Sequence, residues 1–323
     1  MISSLIQPEL TPEKGTGTVQ PFTSAQQWSF PLNVSASLGR GSGQPACRLE
    51  SAGVRPSKSR GQNFLVQPAV AAQIVNAAGV EAGEAVVEIG PGLGILTERV
   101  LYANPRILTL VELDQRLAAA LATRFGADPR IRLLNRDFLT VKSSEIEGER
   151  LKVIGNLPFS IAAAILRRLT QYHESVSRMV LMFQREVGER IRARPGARNY
   201  GSLSVFSSLY WHVIGHFRVA AGNFHPRPKV DAEVLIMEPR RESDFSKAEE
   251  PDVLATIRAA FSAPRKTIRN SLVCGLCIEC REIEDALNRA NIDHSMRPVL
   301  LHCSQLIALA RLLRPASSPG SRA

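Results

Sequence analysis

Ala85-Val86-Val87-Glu88-Ile89-Gly90-Pro91-Gly92-Leu93-Gly94 is the stretch on which the reading of this chain turns. A short β-branched run ends in a turn with glycine at every second position, and a helix-like pattern follows from about residue 94. Strand, glycine turn and helix together let backbone amides approach a ligand closely while the chain bends sharply. The spacing is G-x-G-x-G, and Ile95 stands where a dinucleotide site wants its third glycine, so NAD is disfavoured. An NAD-linked dehydrogenase stays only as a fold-level analogue.

Outward from that turn, β-branched runs recur at 107–113, 131–134, 151–155, 178–183, 213–219 and 233–237. Helix-like stretches at 68–78, 94–103, 115–125 and 160–171 separate the early ones. Strands alternating with helices predict an α/β fold, a doubly wound sheet with mainly parallel strands. Ligand chemistry in such sheets sits beyond the carboxyl ends of the strands, which sets Gly90, Glu112, Asp137 and Asn156 along one rim. Glu112 ends its strand about 20 residues after the glycine turn, where a carboxylate can accept both hydroxyls of a ribose. Asp137, with Phe138 and Leu139 beside it, offers an acceptor and apolar faces to an adenine ring. Taken singly, each acid also fits a helix cap or a solvated loop end. Beyond about residue 242 only helical patterns remain (252–262, 266–279, 281–291, 303–313), which predicts a sheet domain over 58–241 and a small all-helical domain over 242–323.

Asn156-Leu157-Pro158-Phe159 closes the apolar run Leu151, Val153, Ile154. An asparagine oxygen and a neighbouring backbone carbonyl can accept both hydrogens of an exocyclic amine and aim its lone pair. Proline stiffens the turn without removing a donor the site needs, and Phe159 supplies a face for a planar base. By itself the tetrapeptide is also an ordinary turn after a strand.

The formal charge of +10 and pI near 9.8 favour a polyanionic partner, because arginine forks suit phosphate oxygens and stack on bases. Candidate RNA contacts are Arg227 and Lys229 before the last strand, with Arg265, Lys266 and Arg269 further on; each also fits a solvated basic face. Arg265 and Arg269 are four apart, so on a helix they share a face. Arg185, Arg190, Arg192 and Arg194 form a further cluster, on a helix or a loop. No apolar run reaches the ~18 residues of a membrane span. Five cysteines with no disulfide pattern are consistent with a reducing cytosol. Cys274, Cys277 and Cys280 fall in a helical pattern whose spacing fans their sulfurs apart, and no fourth cysteine is near, so no metal is expected. Nor do His173, His212, His216, His294 and His302 show metal spacing. Residues 1–57, rich in Ser, Gly, Pro and Thr, read as a disordered extension without a secretory signal. A transit peptide, or a translation start further on at a codon such as that of Val54, remains open.

In this order, E-I-G-P-G-L-G (88–94), V-E-L-D (111–114), R-D-F-L (136–139) and N-L-P-F (156–159) resemble the S-adenosylmethionine-dependent methyltransferases that act on adenine N6 in ribosomal RNA. G-Q-N-F-L (61–65), F-H-P-R-P-K-V-D (224–231) and R-K-T-I-R-N-S-L (265–272) extend the resemblance over roughly residues 58–313. The last two, with the helical tail, are similar to the KsgA-type small-subunit dimethyltransferases rather than the large-subunit resistance enzymes. The resemblance implies a Rossmann-like class I methyltransferase sheet with a helical RNA-binding tail. It implies S-adenosyl-L-methionine bound by Gln62, Asn63, Leu65, Gly90, Gly92, Glu112, Asp137 and Asn156. It implies an adenine handled by Asn156, Leu157, Pro158 and Phe159. The implied reaction dimethylates two adjacent adenosines in a hairpin loop near the 3′ end of 16S rRNA, in the pre-30S particle, by a cytoplasmic monomer. Two positions depart from the family pattern: Phe159 replaces the more usual tyrosine, and Ala232 stands where a serine commonly follows K-V-D. The alternatives are an adenine methyltransferase of another RNA, such as large-subunit rRNA, and a non-catalytic ribosome-assembly or transcription factor on the same fold. The intact Asn156 motif and the acidic pair argue against the latter.

Overall fold

The computed structural model describes residues 62–157 and 161–313. The segment read as an extension, and Pro158 and Phe159, lie outside the described residues. Strand and helix alternate as the patterns predict: β1 (Phe64–Leu65), α1 (Pro68–Ala78), β2 (Ala85–Ile89), α2 (Ile95–Tyr102), β3 (Ile107–Glu112), α3 (Gln115–Phe125), β4 (Ile131–Asn135), β5 (Leu151–Asn156), α4 (Ala162–Leu169) and β6 (Val176–Gln184). Then come α5 (Arg185–Ile191), α6 (Ser202–Tyr210), β7 (Trp211–Val219), β8 (Phe224–His225) and β9 (Ala232–Pro239). The tail holds α7 (Glu250–Ala260), α8 (Ile268–Leu276), α9 (Cys280–Arg289) and α10 (Cys303–Leu313).

Seven strands form one sheet in the order β4-β3-β2-β5-β6-β9-β7. Parallel pairing runs from β4 through β6, and β9 lies antiparallel to both β6 and β7. All five residues of β2 are buried, as a central parallel strand covered on both faces requires. Val87, Val153 and Leu181 pack on one face with Ile165, Leu166 and Leu169 of α4. Val86, Leu110, Ile154 and Val180 pack on the other with Ile74 of α1 and Val100 of α2. A third core joins Val253, Ile257, Leu272, Leu287 and Leu306 of the tail to Val205 and Leu209 of α6, so α6 bridges sheet and tail. A separate two-residue ribbon pairs Phe64 with His225 and Leu65 with Phe224, which brings the G-Q-N-F-L and F-H-P-R-P-K-V-D motifs together.

Three expectations change. Helices α5 and α6 have no counterpart in the sequence patterns, because each is short and α6, wedged between two cores, buries Ser204, Val205, Phe206, Ser207 and Leu209 rather than one regular stripe. The helix expected over 266–279 is shorter, since Thr267 caps its start and Cys277, at φ 55°, ends it. Arg265 and Lys266 therefore lie in the preceding turn, and Arg265 shares no helical face with Arg269. Cys274, Cys277 and Cys280 are likewise divided between α8, its cap and α9. Among the described residues no three His, Cys, Asp or Glu side chains come together as a metal site.

Candidate functional site

Four neighbouring strands, β4, β3, β2 and β5, end at one rim, and each delivers one of the residues singled out in the sequence. Gly90 follows β2, Glu112 ends β3, Asp137 follows β4 and Asn156 ends β5. Strand spacing of about 4.8 Å spreads them over roughly 15 Å, the length of a nucleoside with a short tail.

The glycine turn is formed by backbone that only glycine adopts readily. Gly92 has φ 57°, and a Cβ there would stand 3.0 Å from Cδ1 of Phe64. Glu112 anchors the turn from the next strand. Its Oε2 accepts from the Gly92 amide (3.1 Å) and its Oε1 from the Asp114 amide (2.9 Å). Those two bonds leave lone pairs for further donors, because a carboxylate offers about four acceptor sites. Burial raises the Glu112 carboxyl above its ordinary value, against the pull of the two amides. Asp114 caps α3 by accepting from the Arg116 amide, and the Arg116 side chain holds its carboxyl below the usual range. Gln62 hydrogen-bonds the same carboxylate, which ties the start of the ribbon to this rim. Between the two acids Leu113 is 53% exposed.

Asp137 caps the short 3-10 turn Phe138–Thr140, its Oδ1 accepting from the Leu139 amide (2.9 Å), and Oδ2 has no partner among the described residues. Phe138 differs from the sequence expectation. Its ring is 4% exposed and packs against Tyr172 at 5.9 Å, in the core rather than the crevice. The exposed apolar side chain beside these acids is Leu113 instead. It follows the last residue of β3 between two acids, and no pattern around it separates it from any other strand-end leucine.

Asn156 is half-buried, and its Nδ2 donates to the Asn63 carbonyl across the chain (3.0 Å). A carbonyl partner fixes which end of the amide is nitrogen, so Oδ1 is the end left without a partner among the described residues. Leu157 and Leu65 are 1% and 3% exposed, so their side chains belong to the core and only their backbones can serve the rim.

Glu88, within the glycine motif but not singled out as a site residue, is fully buried. Thr97 Oγ1 donates to its Oε2 (2.7 Å), while Oε1 has no partner among the described residues. Burial pushes its carboxyl up to about 8, and the nearby Glu112 charge adds to the shift. A single acid inside V-V-E-I was the available signal, since a carboxyl in an apolar strand needs a reason.

Of the candidate cations, Arg227 and Lys229 are exposed in the turn between β8 and β9. Arg265 and Lys266 are exposed between α7 and α8, with Lys266 Nζ 3.6 Å from Cys274 Sγ. Arg269 is engaged, its Nε donating to Glu284 (2.5 Å) and its Nη2 to Cys280 (2.6 Å).

Comparison with known proteins bears on the family and the fold. Residues 54–312 match the family model for "Ribosomal RNA adenine dimethylase". Ribosomal RNA small subunit methyltransferase A of Geobacter metallireducens is 35% identical over 270 residues, covering 82% of this chain and 98% of that protein. Its namesake in Marinobacter nauticus is 36% identical over 262 residues, covering 81% and 92%. Among solved structures, a dimethyladenosine transferase from Plasmodium falciparum superposes with TM-score 0.64 at 21% identity, over 76% of this chain and 95% of that one. The 23S rRNA methyltransferase ErmE superposes with TM-score 0.57 at 26% identity, over 78% and 99%. Both likenesses place the sheet among Rossmann-like methyltransferases. The chain belongs to the ribosomal RNA adenine dimethylase family.

Proposed function

We propose that the protein dimethylates N6 of two adjacent adenosines near the 3′ end of 16S rRNA, using S-adenosyl-L-methionine. It works as a cytoplasmic monomer on the pre-30S particle and contributes to small-subunit biogenesis. The observation that carries the chemistry is the asparagine at the end of β5: its nitrogen is occupied by the Asn63 carbonyl and its oxygen is left to accept.

The residues present fit the cofactor. Gly90 and Gly92 give a close backbone approach, Glu112 keeps lone pairs for two ribose hydroxyls, and Asp137 keeps an oxygen for an adenine amine. S-adenosylmethionine supplies an electrophilic methyl on a sulfonium, so the work of the chain is alignment. Asn156 Oδ1 and a neighbouring backbone carbonyl accept both N6 hydrogens. That arrangement draws the nitrogen toward a pyramidal geometry with its lone pair aimed at the methyl carbon. Positioning of this type is worth several kcal/mol of barrier. None of these residues is a strong base toward N6, and its proton leaves after transfer. Phe159 stacks the base, which must leave its own stack to enter, so the target is a splayed loop nucleotide. A second transfer requires the once-methylated amine to be accepted again, after cofactor exchange. Residues 58–241 carry this chemistry, and residues 242–323 grip RNA together with Arg227 and Lys229.

Incubating the purified protein with methyl-labelled cofactor and small subunits lacking the modification tests the reading. Digestion of the RNA should yield labelled N6,N6-dimethyladenosine from two neighbouring positions. Label confined to large-subunit RNA, or none, overturns it.

A further inference from the structure

Glu233 is the second residue of β9 and fully buried, in a strand that is otherwise apolar until Glu238. It pairs across the sheet with Phe183 of β6 and Arg218 of β7. Its Oε1 accepts from Arg192 Nε (3.2 Å), and the same oxygen lies 3.0 Å from His216 Nδ1. Oε2 has no hydrogen-bond partner among the described residues. A Cβ at position 188 would stand 2.4 Å from that oxygen, so it is a glycine that lets α5 lie across the carboxylate. Stability does not call for this arrangement. A buried ion pair is often no better than an apolar replacement, and glycine weakens a helix interior.

What the arrangement does is hold a segment. Glu189 of α5 makes the companion links, to Arg185 (3.7 Å) and Arg218 (3.8 Å), and accepts from Asn199 Nδ2 (3.3 Å). Beyond α5, the Gly196 amide donates to the Val299 carbonyl (2.8 Å) and the Tyr200 hydroxyl to that of Leu301 (2.9 Å). The chain from 185 to 200 is thus fastened to the sheet at one end and to the tail at the other. The two acids occupy Arg185, Arg192 and Arg218. Arg190, Arg194 and Arg198 on the same segment are exposed and have no carboxylate partner among the described residues. Register places the start of that segment near the rim, since α5 follows directly from the end of β6. Asn156 pairs with Met182, and Glu233 with the next residue of β6, two strand spacings or about 10 Å from β5.

Resting on the function proposed above, we propose that Glu233 is a positioning residue for RNA. Through Arg192 it holds α5 so that Arg190, Arg194 and Arg198 stand as a ledge for backbone phosphates beside the Asn156 rim. Guanidinium forks match phosphate oxygens, and a rigid ledge sets the distance from a bound phosphate to the base entering the site.

Glu233→Gln and Arg192→Met test this in the full chain, with unmodified small subunits as substrate. Each should raise KM for subunits about tenfold and lower the thermal midpoint, since one partner of a buried pair is left alone, while kcat and calorimetric affinity for S-adenosylhomocysteine stay close to wild type. The double variant should be no worse than either single one, because both break one link. Replacing Arg190, Arg194 and Arg198 with Gln should reproduce the KM effect, and Glu233→Gln should then add nothing. An unchanged KM with a lowered thermal midpoint would make Glu233 purely structural, and a fall in kcat at constant KM would move its effect to the chemical step. Either result overturns the proposal. Should Glu233→Gln fail to fold, Arg192→Met on the partly exposed partner gives the same readout. Wild-type turnover on the same subunits judges the functional reading separately. If wild type transfers no methyl, filter retention of subunits by the same variants still tests the ledge.

Discussion

The glycine-turn rim and the basic periphery treat their polar groups in opposite ways. At the rim each of these polar side chains is already tied to backbone: Glu112 accepts from the Gly92 and Asp114 amides, Asp137 accepts from the Leu139 amide, and Asn156 Nδ2 donates to the Asn63 carbonyl. At the periphery Arg227, Lys229 and Arg265 are exposed with no carboxylate partner among the described residues. Methyl transfer needs atoms held to a fraction of an ångström, and backbone latches provide that. A polyanion needs charge density more than exact placement, and mobile side chains provide it without the desolvation that fixed burial would impose.

The sharpest way to break this contrast is Asn156→Ala. If the rim works by geometry, removing one oriented acceptor should lower turnover about 10²–10³-fold. Calorimetric affinity for S-adenosylhomocysteine should change far less, because Glu112 and the glycine turn remain. Labelled methyl transfer to unmodified subunits reads the rate. A variant turning over at the wild-type rate would remove Asn156 from the chemistry.

The periphery should respond in another currency. Changing Arg227, Lys229, Arg265 and Lys266 together to Ala should weaken RNA binding by about a hundredfold near 0.15 M salt. The slope of log affinity against log salt should fall by about 3, at ~0.7 for each single-strand phosphate that is no longer neutralised. Arg269 is left out because Glu284 already holds it. Filter binding across a salt series measures both quantities. An unchanged slope would show that the phosphates are met elsewhere, the ledge of Arg190, Arg194 and Arg198 being the first place to look.

Legibility in the sequence follows the same division. Runs such as Ala85–Ile89 and Leu151–Asn156 are strands buried on both faces, and their composition shows it. The glycine turn, Glu112 and Asn156 are readable because chain spacing fixes their places at strand ends. Helices α5 and α6 are not, because α5 has only seven residues and α6, with nine, buries positions on several faces, so neither leaves a clean period. Four-residue spacing suggests one helical face for Arg265 and Arg269, but the Thr267 cap starts the helix between them. Glu88 and Glu233 teach the most. Each interrupts an apolar strand, and each proves to be a buried carboxyl with one unpartnered oxygen. What such an acid meets depends on neighbours far along the chain, Thr97 for one and Arg192 for the other, and a single sequence does not pair them.

Glu88 also gives the smallest and most specific test of the rim. Its carboxyl is pushed up to about 8 from an ordinary 4.5, mainly by burial. Between those values the folded protein keeps a proton that the unfolded chain has released. Folding stability should therefore fall as pH rises through that window, by about 1.4 kcal/mol per pH unit, and level off above the folded value. Glu88→Gln keeps the shape and an acceptor for Thr97 but does not titrate. Urea melts of cofactor-free protein at pH 6 and pH 7 should show the variant gaining about 1.4 kcal/mol on the wild type over that unit. A constant difference between the two would mean that Glu88 is ionised throughout. The rim would then hold two adjacent carboxylates, at positions 88 and 112, before any ligand arrives, and attraction for a cationic cofactor would add to the backbone latches as its organising force.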